Sequence, residues 1–321
     1  MIADTILGEL NDLWTRTGQE TGSSAGVLRA CTMTLVILCG EGEDYQALGE
    51  TVAALMPEHP ARTILVKRGA TGFEHRVYAQ CWMPFGQRRQ ICCEQIEITS
   101  NEPDVARVVA PLVAPDLPVV LWVRDSRRFL DSEFDPAAFG AGKVIVDSFA
   151  LADSPAATKT LTARRRTKLL FADLAWTRIT RWREVLSRIF ENRDNLGKLS
   201  LVNRIRVWHG GEAAPLFAWY MGAWLTNSLA DAGVNAELIL ERDTQLQAGT
   251  LRIELTGEGF DVMLERREER LVVRAGGLSS CTSLSQPSDY VLMREELGIL
   301  REDPVFERTL DAASRLARAA I

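Results

Sequence analysis

The spacing of apolar residues changes along the chain, and each change predicts a different element. Near the start, apolar residues recur at helical spacing and predict a helix over 3–17: Ile6, Leu7, Leu10, Leu13 and Trp14. The Gly/Ser tract that follows at 21–26 is typical of a linker. A continuous apolar run at 33–39 then has the length and composition of a buried strand.

The next segments predict a parallel unit followed by an antiparallel pair. A helix over 47–55 and a strand over 62–67 come after the first strand, and the short links between them favour parallel βαβ pairing. Two longer strands are predicted at 75–83 and 90–99, with a turn at the intervening PFGQRR. The rest of this half is predicted as a helix at 102–113, a strand at 117–123, an acidic loop at 125–135, and a strand at 143–148.

The second half has a different pattern, with an alternating hairpin and longer helices. Alternation over Leu251 to Leu255 and over Phe260 to Leu264, with Gly-Glu-Gly between, predicts a β-hairpin. Around it the pattern predicts helices at 155–166, 212–230, 288–299 and 304–320, and strands at 168–173, 199–208, 236–240 and 270–274.

Together these elements predict two domains. The first is an α/β domain over 27–175, with a mixed sheet, helices and Rossmann-like layering, preceded by a helix and linker over 1–26. The second is an α+β domain over 176–321 with an antiparallel sheet. A chain of 321 residues is long enough for two cores of ordinary size.

The charge balance limits the classes of partner. The net charge is −6, which argues against nucleic acid as the main partner. No apolar run reaches the roughly 18 residues needed to span a bilayer, and acids stand where a signal peptide needs a basic start. A cytoplasmic protein with no membrane partner and with reduced thiols is expected. One segment departs from the average, since 159–188 carries nine Lys/Arg and two acids, a net +7.

A partial nucleotide motif lies after the first predicted strand. Gly40-Glu41-Gly42 stands where a dinucleotide fingerprint would begin, but Tyr45 replaces the third glycine. The acids Glu41 and Glu43 would place negative charge where a pyrophosphate must lie. Nucleotide binding is therefore disfavoured, and no cofactor is predicted.

The cysteines and histidines do not assemble a catalytic or metal site in the sequence. No CxxC occurs, and only three histidines are present, so neither a metal site nor an acid–base set is predicted. Cys92-Cys93 is a vicinal pair in a predicted strand, where neighbours face opposite ways. Two small buried or half-buried hydrophobic residues are the favoured interpretation, with a redox-sensitive thiol at Cys92 or Cys93 as the alternative. The face with Cys93, Gln95 and Glu97 is expected to meet solvent or to carry polar function.

The segment DLAWTRITRWREVLSRIF, 173–190, carries the strongest local signal. Its apolar stripe predicts an amphipathic helix from about Arg181, with Thr177 or Thr180 as N-cap. Arg178, Arg181 and Arg183 then crowd the positive end of the helix, which costs roughly 0.3–1 kcal/mol for each exposed cation. Three explanations stay open: pairing with the nearby acids Asp173 and Glu184, an anion such as a phosphate, or an acidic partner surface.

Five segments stand in order along the chain: HPARTILV, QICCEQIEI, APDLPVVLWV, VIVDS and DLAWTRITRWREVLSRIF. Together they resemble the OpcA family of bacterial glucose-6-phosphate dehydrogenase assembly proteins. The last matches that family's distinctive run at Asp173, Leu174, Trp176, Arg178, Ile179, Thr180, Trp182 and Arg183. The chain departs at Ala175, where a polar residue is expected, and at Arg124-Asp125, where the expected loop is more neutral.

The resemblance implies a non-enzymatic protein that assembles and activates glucose-6-phosphate dehydrogenase, at the NADP-linked start of the oxidative pentose phosphate pathway. The partner would bind a surface that includes the basic segment, with these candidate residues: Trp176, Arg178, Arg181, Trp182 and Arg183. The alternative is a sensor or uncharacterised enzyme that binds a sugar phosphate or another small anion through the same arginines. A redox switch at Cys92 or Cys93 does not follow from the resemblance.

Overall fold

The computed structural model describes residues 2–20, 27–69, 72–82, 90–101, 104–151, 154–165 and 169–319. The predicted linker at 21–26 and the turn within 83–89 lie outside these residues. The chain forms two compact units. The first consists of Met1–Asp147, Lys168–Ala172 and Asp289–Ile299; the second consists of Ser148–Thr167, Asp173–Ser288 and Leu300–Ile321. Each unit includes short segments from the other half of the sequence, so a single boundary near residue 175 does not describe the division.

The first unit is an α/β layer built on an eight-stranded sheet. Its strands are β1 (Val27–Arg29), β2 (Met33–Leu38), β3 (Ala61–Arg68), β4 (Phe73–Trp82), β5 (Gln90–Ser100), β6 (Val119–Val123), β7 (Lys143–Val146) and β8 (Leu170–Asp173). Their order is β1-β5-β3-β2-β6-β7-β8, with β4 paired to β5. The helices of this unit are α1 (Ile2–Glu20), α2 (Tyr45–Leu55), α3 (Ala106–Val109), α4 (Ser126–Leu130) and α10 (Asp289–Gly298).

The predicted parallel unit is confirmed, because β2 pairs in parallel with both β3 and β6. All residues of β2 and β6 are buried, as expected for central strands covered on both faces. The predicted antiparallel pair is confirmed as β4 and β5, with Val77 opposite Ile96. The polar face of β5 is not at the surface as expected, since Cys93 and Gln95 are buried. The reason is that other groups of the first unit cover this face: Cys93 lies against the Ala30 carbonyl, and Glu97 is bonded to Lys67 and Tyr78.

Two buried ionic contacts fix helices to this sheet. Arg62 on β3 donates to Glu94 on β5 at 2.6 Å, and Trp14 of α1 donates its indole N–H to the same carboxylate at 3.1 Å. Lys143 on β7 is buried and donates to the backbone carbonyls of Glu296 and Ile299 at the end of α10. Each contact satisfies a charge that would be costly to bury alone.

The second unit packs helices against a six-stranded sheet. Its strands are β9 (Val202–His209), β10 (Glu237–Arg242), β11 (Leu251–Gly257), β12 (Phe260–Arg267), β13 (Arg270–Ala275) and β14 (Leu278–Ser283), in the order β10-β9-β11-β12-β13-β14. Its helices are α5 (Ser154–Arg165), α6 (Leu174–Arg178), α7 (Thr180–Ile189), α8 (Arg193–Gly197), α9 (Leu216–Asp231) and α11 (Pro304–Ala319).

This second sheet is mixed, whereas an antiparallel sheet was predicted. The pair β9 and β10 is parallel because α9 connects them as a crossover, and the remaining pairs are antiparallel. The predicted hairpin is confirmed, with Leu255 opposite Val262. One face of the hairpin is buried through Leu251, Ile253 and Leu255 and their partners, as the alternation predicts.

Several element boundaries differ from the predictions. In the described part of the helix predicted at 102–113, α3 is followed by a 3₁₀ turn at Ala110–Leu112, because Pro111 cannot continue an α-helix. The loop predicted at 125–135 contains α4, which Asp125 caps. The strands β1 and β14 and the helix α8 carry no periodic signal and were not predicted. Within the described residues, no helix is both long and apolar enough to cross a membrane.

Candidate functional site

The corner of the first unit where a dinucleotide would bind lies between β2 and α2. Asp44 caps α2, and its side chain accepts from the backbone N–H groups of Gln46 and Ala47, both at 3.0 Å. The helix N-terminus that would bind a phosphate therefore already holds the chain's own carboxylate.

An ion cluster occupies the same corner. Arg124, which follows β6, donates to both oxygens of Glu43 at 2.7 Å and to Asp289 at 2.6 Å. Its guanidinium lies 4.6 Å from the ring centre of Trp122. Burial alone would lower the pKa of Arg124, but the hydrogen bonds to Glu43 and Asp289 raise it above its usual value. Of the two residues that depart from the expected neutral loop, Arg124 thus forms the centre of this cluster, whereas Asp125 caps α4.

The thiol of Cys39 is buried close to this cluster. Burial first, and then the charge of Glu43, raises the pKa of Cys39 to about 12. A neutral thiol at physiological pH supplies neither a nucleophile nor a metal ligand.

The segment 173–190 begins with a buried carboxylate. Asp173 accepts hydrogen bonds from the Ser148 hydroxyl at 2.5 Å, the Tyr220 hydroxyl at 2.8 Å, and the backbone N–H groups of Ser148 and Ala175, each at 3.0 Å. These hydrogen bonds come from groups other than the three arginines. Burial, together with the charge of Asp173, raises the pKa of Tyr220 well above its usual value.

Two short helices follow this carboxylate, with a break between them at Ile179. Asp173 caps α6, whereas α7 begins at Thr180 without a side-chain cap. The predicted caps Thr177 and Thr180 are therefore wrong. The Thr177 hydroxyl instead donates back to the Asp173 carbonyl, because Thr177 lies inside α6, where no helix N-terminus needs it.

The aromatic residues of this segment pack inside the second unit. Trp176 and Trp182 are 4% and 6% exposed. Trp176 donates its indole N–H to Asp303 at 3.1 Å and packs 5.7 Å from the ring of Phe306. Because neither indole reaches the surface, a partner protein cannot use them as anchors in this conformation.

The three arginines that crowded the predicted helix start have three different environments. Arg181 is exposed and pairs with Glu184 at 2.7 Å, as one explanation predicted. Arg183 stacks on Trp176, with its guanidinium 3.5 Å from the ring centre. Arg178 lies 4.9 Å from the ring centre of Phe149 and lines a pocket. The five candidate residues are thus divided between core, surface and pocket wall, and do not form a single cluster.

The cysteine pair also differs from its prediction. Cys92 forms a disulfide with Cys81, whereas a reduced thiol was expected at both positions. The physical reason is the strand register, which places Cys81 of β4 directly opposite Cys92 of β5, with Cα atoms 4.1 Å apart. Cys93 is buried and its thiol contacts the Ala30 carbonyl at 3.0 Å. The hydrogen bond to Cys31 and then burial raise the pKa of Cys93 far above its usual value.

No group of three or more metal-ligating side chains occurs within the described part of the chain. His209 ends β9 and is buried. Its pKa is lowered, first by burial and then by the charge of Arg242.

Comparison with known protein families identifies both halves of the chain. Residues 52–165 match the glucose-6-phosphate dehydrogenase subunit N-terminal domain, and residues 170–310 match the corresponding C-terminal domain. The chain belongs to the OpcA family. The resemblance found in five sequence segments is thereby confirmed. A comparison with curated proteins gave no match.

Solved structures show what fold this OpcA-family chain has. It is similar to a dehydrogenase from Chromobacterium violaceum at 10% identity and a TM-score of 0.51, over 92% of this chain and 94% of that chain. Biliverdin reductase from Synechocystis sp. matches at 16% identity and 0.45, over 91% and 98%. UDP-N-acetylglucosamine 3-dehydrogenase from Acidithiobacillus ferrooxidans matches at 12% and 0.47, over 92% and 98%. The first likeness shows a shared Rossmann-like fold and, at 10% identity, nothing further.

A nicotinamide dinucleotide, which this fold binds in many dehydrogenases, does not fit the corresponding corner of this chain. The pyrophosphate would meet the carboxylates of Glu43 and Asp44, and the amides that could hold it are already bonded to Asp44. The sequence had pointed the same way through its acidic Gly-Glu-Gly turn. What it could not show was Arg124 and Asp289 completing the cluster from distant segments.

Proposed function

We propose that this chain is a non-enzymatic subunit that binds glucose-6-phosphate dehydrogenase and promotes its assembly or activity. The observation that carries the proposal is the match to dehydrogenase-subunit domains over both halves, residues 52–165 and 170–310. Members of a subunit family act through contact with the enzyme, so a direct complex is the expected mode of action.

We further propose that this chain catalyses no reaction of its own. Its support is the ion cluster of Glu43, Arg124 and Asp289, which takes the place that a redox cofactor needs. The thiols of Cys39 and Cys93 are held protonated, and the buried Asp173 accepts four hydrogen bonds from its own unit. A carboxylate satisfied in this way is unavailable as a general base.

The surface proposed for the partner is the outer face of α7. Arg181 and Arg188 are exposed and lie seven residues apart, so they share one face of the helix. They belong to the basic segment over 159–188, the most positive part of an acidic chain. Exposed arginines can form bidentate hydrogen bonds with carboxylates, so an acidic patch on the dehydrogenase is the matching chemistry.

Size-exclusion chromatography with light scattering, run on this chain mixed with the dehydrogenase of the same organism, tests the complex. We expect a joint peak and a changed dehydrogenase activity at micromolar concentrations of both proteins. If the two proteins elute separately and the activity is unaltered, the proposed function is wrong.

A charge reversal tests the surface. The double variant Arg181→Glu and Arg188→Glu is expected to weaken the complex by about tenfold or more, since like charges across an interface cost several kcal/mol. Arg107→Glu is the matched control, because Arg107 is also exposed and also pairs with an acid three residues away, Asp104. Equal losses in both variants would show a non-specific charge effect and would contradict the assignment of α7.

A further inference from the structure

The strand β14, at one edge of the second sheet, buries none of its side chains. All six of its residues are exposed, and the leucine that begins it, Leu278, is 78% exposed. In the described part of the chain β14 pairs with β13 on one side and has no strand on the other. Its outer backbone groups can therefore hydrogen-bond to a strand of another chain.

The composition of β14 leaves this edge unprotected. Edge strands commonly avoid pairing through charged residues, proline or a bulge. The strand at the opposite edge of the same sheet, β10, carries three charged residues among six: Glu237, Glu241 and Arg242. The sequence of β14 is LSSCTS, which has neither a charge nor a proline, and its register with β13 runs without a shift. At β14 this sheet is therefore open to the addition of another strand.

The hydrogen bonds between β13 and β14 decide which backbone groups face outwards. The Leu284 N–H donates to the Glu269 carbonyl at 2.7 Å, so these two residues form a hydrogen-bonded pair. Hydrogen-bonded and non-hydrogen-bonded pairs alternate along an antiparallel ladder. The even-numbered residues of β14 thus direct their N–H and C=O groups towards β13. The odd-numbered residues, Ser279, Cys281 and Ser283, direct theirs away from the sheet.

These outward groups allow the strand to pair with its own copy. In an antiparallel pair, an outward-directed residue has to face another outward-directed residue. An antiparallel copy centred on Cys281 meets this condition, since it places Cys281 opposite Cys281 and Ser279 opposite Ser283 of the second copy. A register shifted by one residue would instead place outward-directed groups opposite inward-directed ones.

The side chains of the even-numbered residues support the same register. They lie on the face of the sheet that carries the buried Leu271 and Val273 of β13. The register places the exposed Leu278 opposite Leu284 of the second copy, so that apolar surface leaves water. It also places Ser280 opposite Thr282, and hydroxyl pairs of this kind are favourable across antiparallel strands.

We propose that two copies of this chain pair through β14 in antiparallel orientation, with Cys281 at the two-fold axis. The two six-stranded sheets would then form one continuous sheet. The absence of charge on β14 fits this occupant, because a two-fold axis brings side chains of the same strand together and would oppose like charges. A partner recognised through its charge would find no opposite charge on this strand.

Light scattering of the purified chain alone tests the dimer. We expect the mass to rise from that of one chain towards that of two between about 1 and 100 µM, which corresponds to a micromolar Kd. The mass of a single chain at about 100 µM would overturn the proposal. Because no dehydrogenase is present, the outcome is independent of the complex proposed above.

A charge exchange at Cys281 tests the position of the axis. Cys281→Lys and Cys281→Glu are each expected to weaken the dimer by at least about tenfold, because two like charges would lie directly opposite each other. An equal mixture of the two variants is expected to restore it, since Lys then faces Glu. Restoration in the mixture also shows that neither variant is unfolded.

Asn203→Lys is the matched control for this exchange. Asn203 is an exposed residue of β9, so the variant adds the same charge to the same sheet outside β14. Its dimer is expected to be as stable as that of the wild type. A mixture that stays monomeric, or an equal loss in Asn203→Lys, would show that β14 is not the interface.

The exposed thiol of Cys281 allows the register to be measured directly. The two Cα atoms of a hydrogen-bonded antiparallel pair lie about 5.5 Å apart, within the range of about 4.4–6.8 Å that a disulfide spans. Diamide, which takes two electrons and two protons from the two thiols, is expected to give a covalent dimer on non-reducing gels. Cys281→Ser is expected to give none and yet to remain dimeric in light scattering. A covalent dimer that is absent in the wild type, or equally abundant in Cys281→Ser, would contradict this register.

Discussion

At the scale of single residues, Asp173 shows how one side chain can organise the second unit. Asp173 is the last residue of β8. Its carboxylate caps α6 and accepts hydrogen bonds from the hydroxyls of Ser148 and Tyr220, which lie elsewhere in the chain. The resemblance to the OpcA family marked this residue as the first position of the distinctive run. The hydrogen bonds explain why an acid is needed there, since the NH₂ group of an amide would face these hydroxyl and N–H donors with a donor of its own.

We expect Asp173→Asn to lower the free energy of unfolding by about 2–3 kcal/mol, because hydrogen bonds to a charged acceptor are lost and a buried donor is left unmatched. Urea denaturation measures the change. Tyr220→Phe removes one of the four donors and is expected to cost only about 1 kcal/mol. An Asp173→Asn variant as stable as the wild type would mean that the network contributes nothing.

His209 gives the second unit a pH dependence whose sign follows from burial. Its pKa in the folded chain is lowered by burial and by Arg242, so the unfolded chain binds the proton more readily. Stability is therefore fully present above the unfolded pKa of about 6.5 and is lost as the pH falls through that value towards the folded pKa.

The His209→Gln variant is expected to lose this part of the pH dependence, which is at most about 1.4 kcal/mol per pH unit. Urea denaturation one unit above and one unit below pH ~6.5 measures it in both proteins. Identical slopes of stability against pH in variant and wild type would contradict the assignment to His209.

At the scale of elements, the corner between α6 and α7 differs most from the sequence prediction. One amphipathic helix was predicted from about Arg181, and the stripe of Trp182 and Leu186 is indeed buried on α7. The sequence did not reveal α6, because five residues are too few to show a period. It also could not show that the three arginines face a ring, an acid and a pocket, since those partners lie on other elements.

Lys143 is one of the residues that attach α10 within the first unit. Lys143 donates to carbonyls at the C-terminal end of α10, where a cation favours the helix macrodipole. Burial lowers the pKa of Lys143, and the charge of Glu296 opposes that shift. The contact replaces the water that those carbonyls would otherwise need.

We expect Lys143→Met to accelerate hydrogen exchange over 289–298 and to cost about 1–3 kcal/mol, because buried carbonyls lose their donor. Arg294→Met is the control. Arg294 lies on the same helix and pairs with Glu58 at an exposed position, where an ion pair contributes roughly 0–1 kcal/mol. Exchange rates that rise no more in Lys143→Met than in Arg294→Met would contradict the anchoring role.

At the scale of the whole molecule, the chain combines a dehydrogenase-like fold with a corner that does not fit the dinucleotide cofactor. The fold is shared with a dehydrogenase from Chromobacterium violaceum, yet function depends on the residues that a fold presents. Here the corner between β2 and α2 presents Glu43, Asp44 and Arg124. Glu43 and Arg124 are paired with each other, and Asp44 occupies the amides of Gln46 and Ala47.

Titration with NADP or NADPH is expected to give no heat and no fluorescence change at millimolar cofactor. The reason is the repulsion between the pyrophosphate and the two carboxylates at the corner, together with the amides already used by Asp44. Saturable binding in the micromolar range would show that the cluster opens, and would remove a main support for a non-enzymatic role.

The parts of the fold that the sequence could predict are those encoded by local pattern. The parallel unit at β2 and β3 and the hairpin at β11 and β12 follow from apolar runs and alternation, which report a residue's own burial. The edge strands β1 and β14 were missed, because a short strand at the edge of a sheet has no repeating apolar side.

The sequence by itself determined the family, the α/β layering of the first unit and an acidic turn that disfavours a dinucleotide, because each is written in consecutive residues. Only the tertiary structure decided which distant residues contact one another. It paired Cys81 with Cys92, set Arg124 between Glu43 and Asp289, and placed Arg178 beside the ring of Phe149. Such contacts join residues far apart in the chain, and their geometry follows from strand register and packing, which no local pattern encodes.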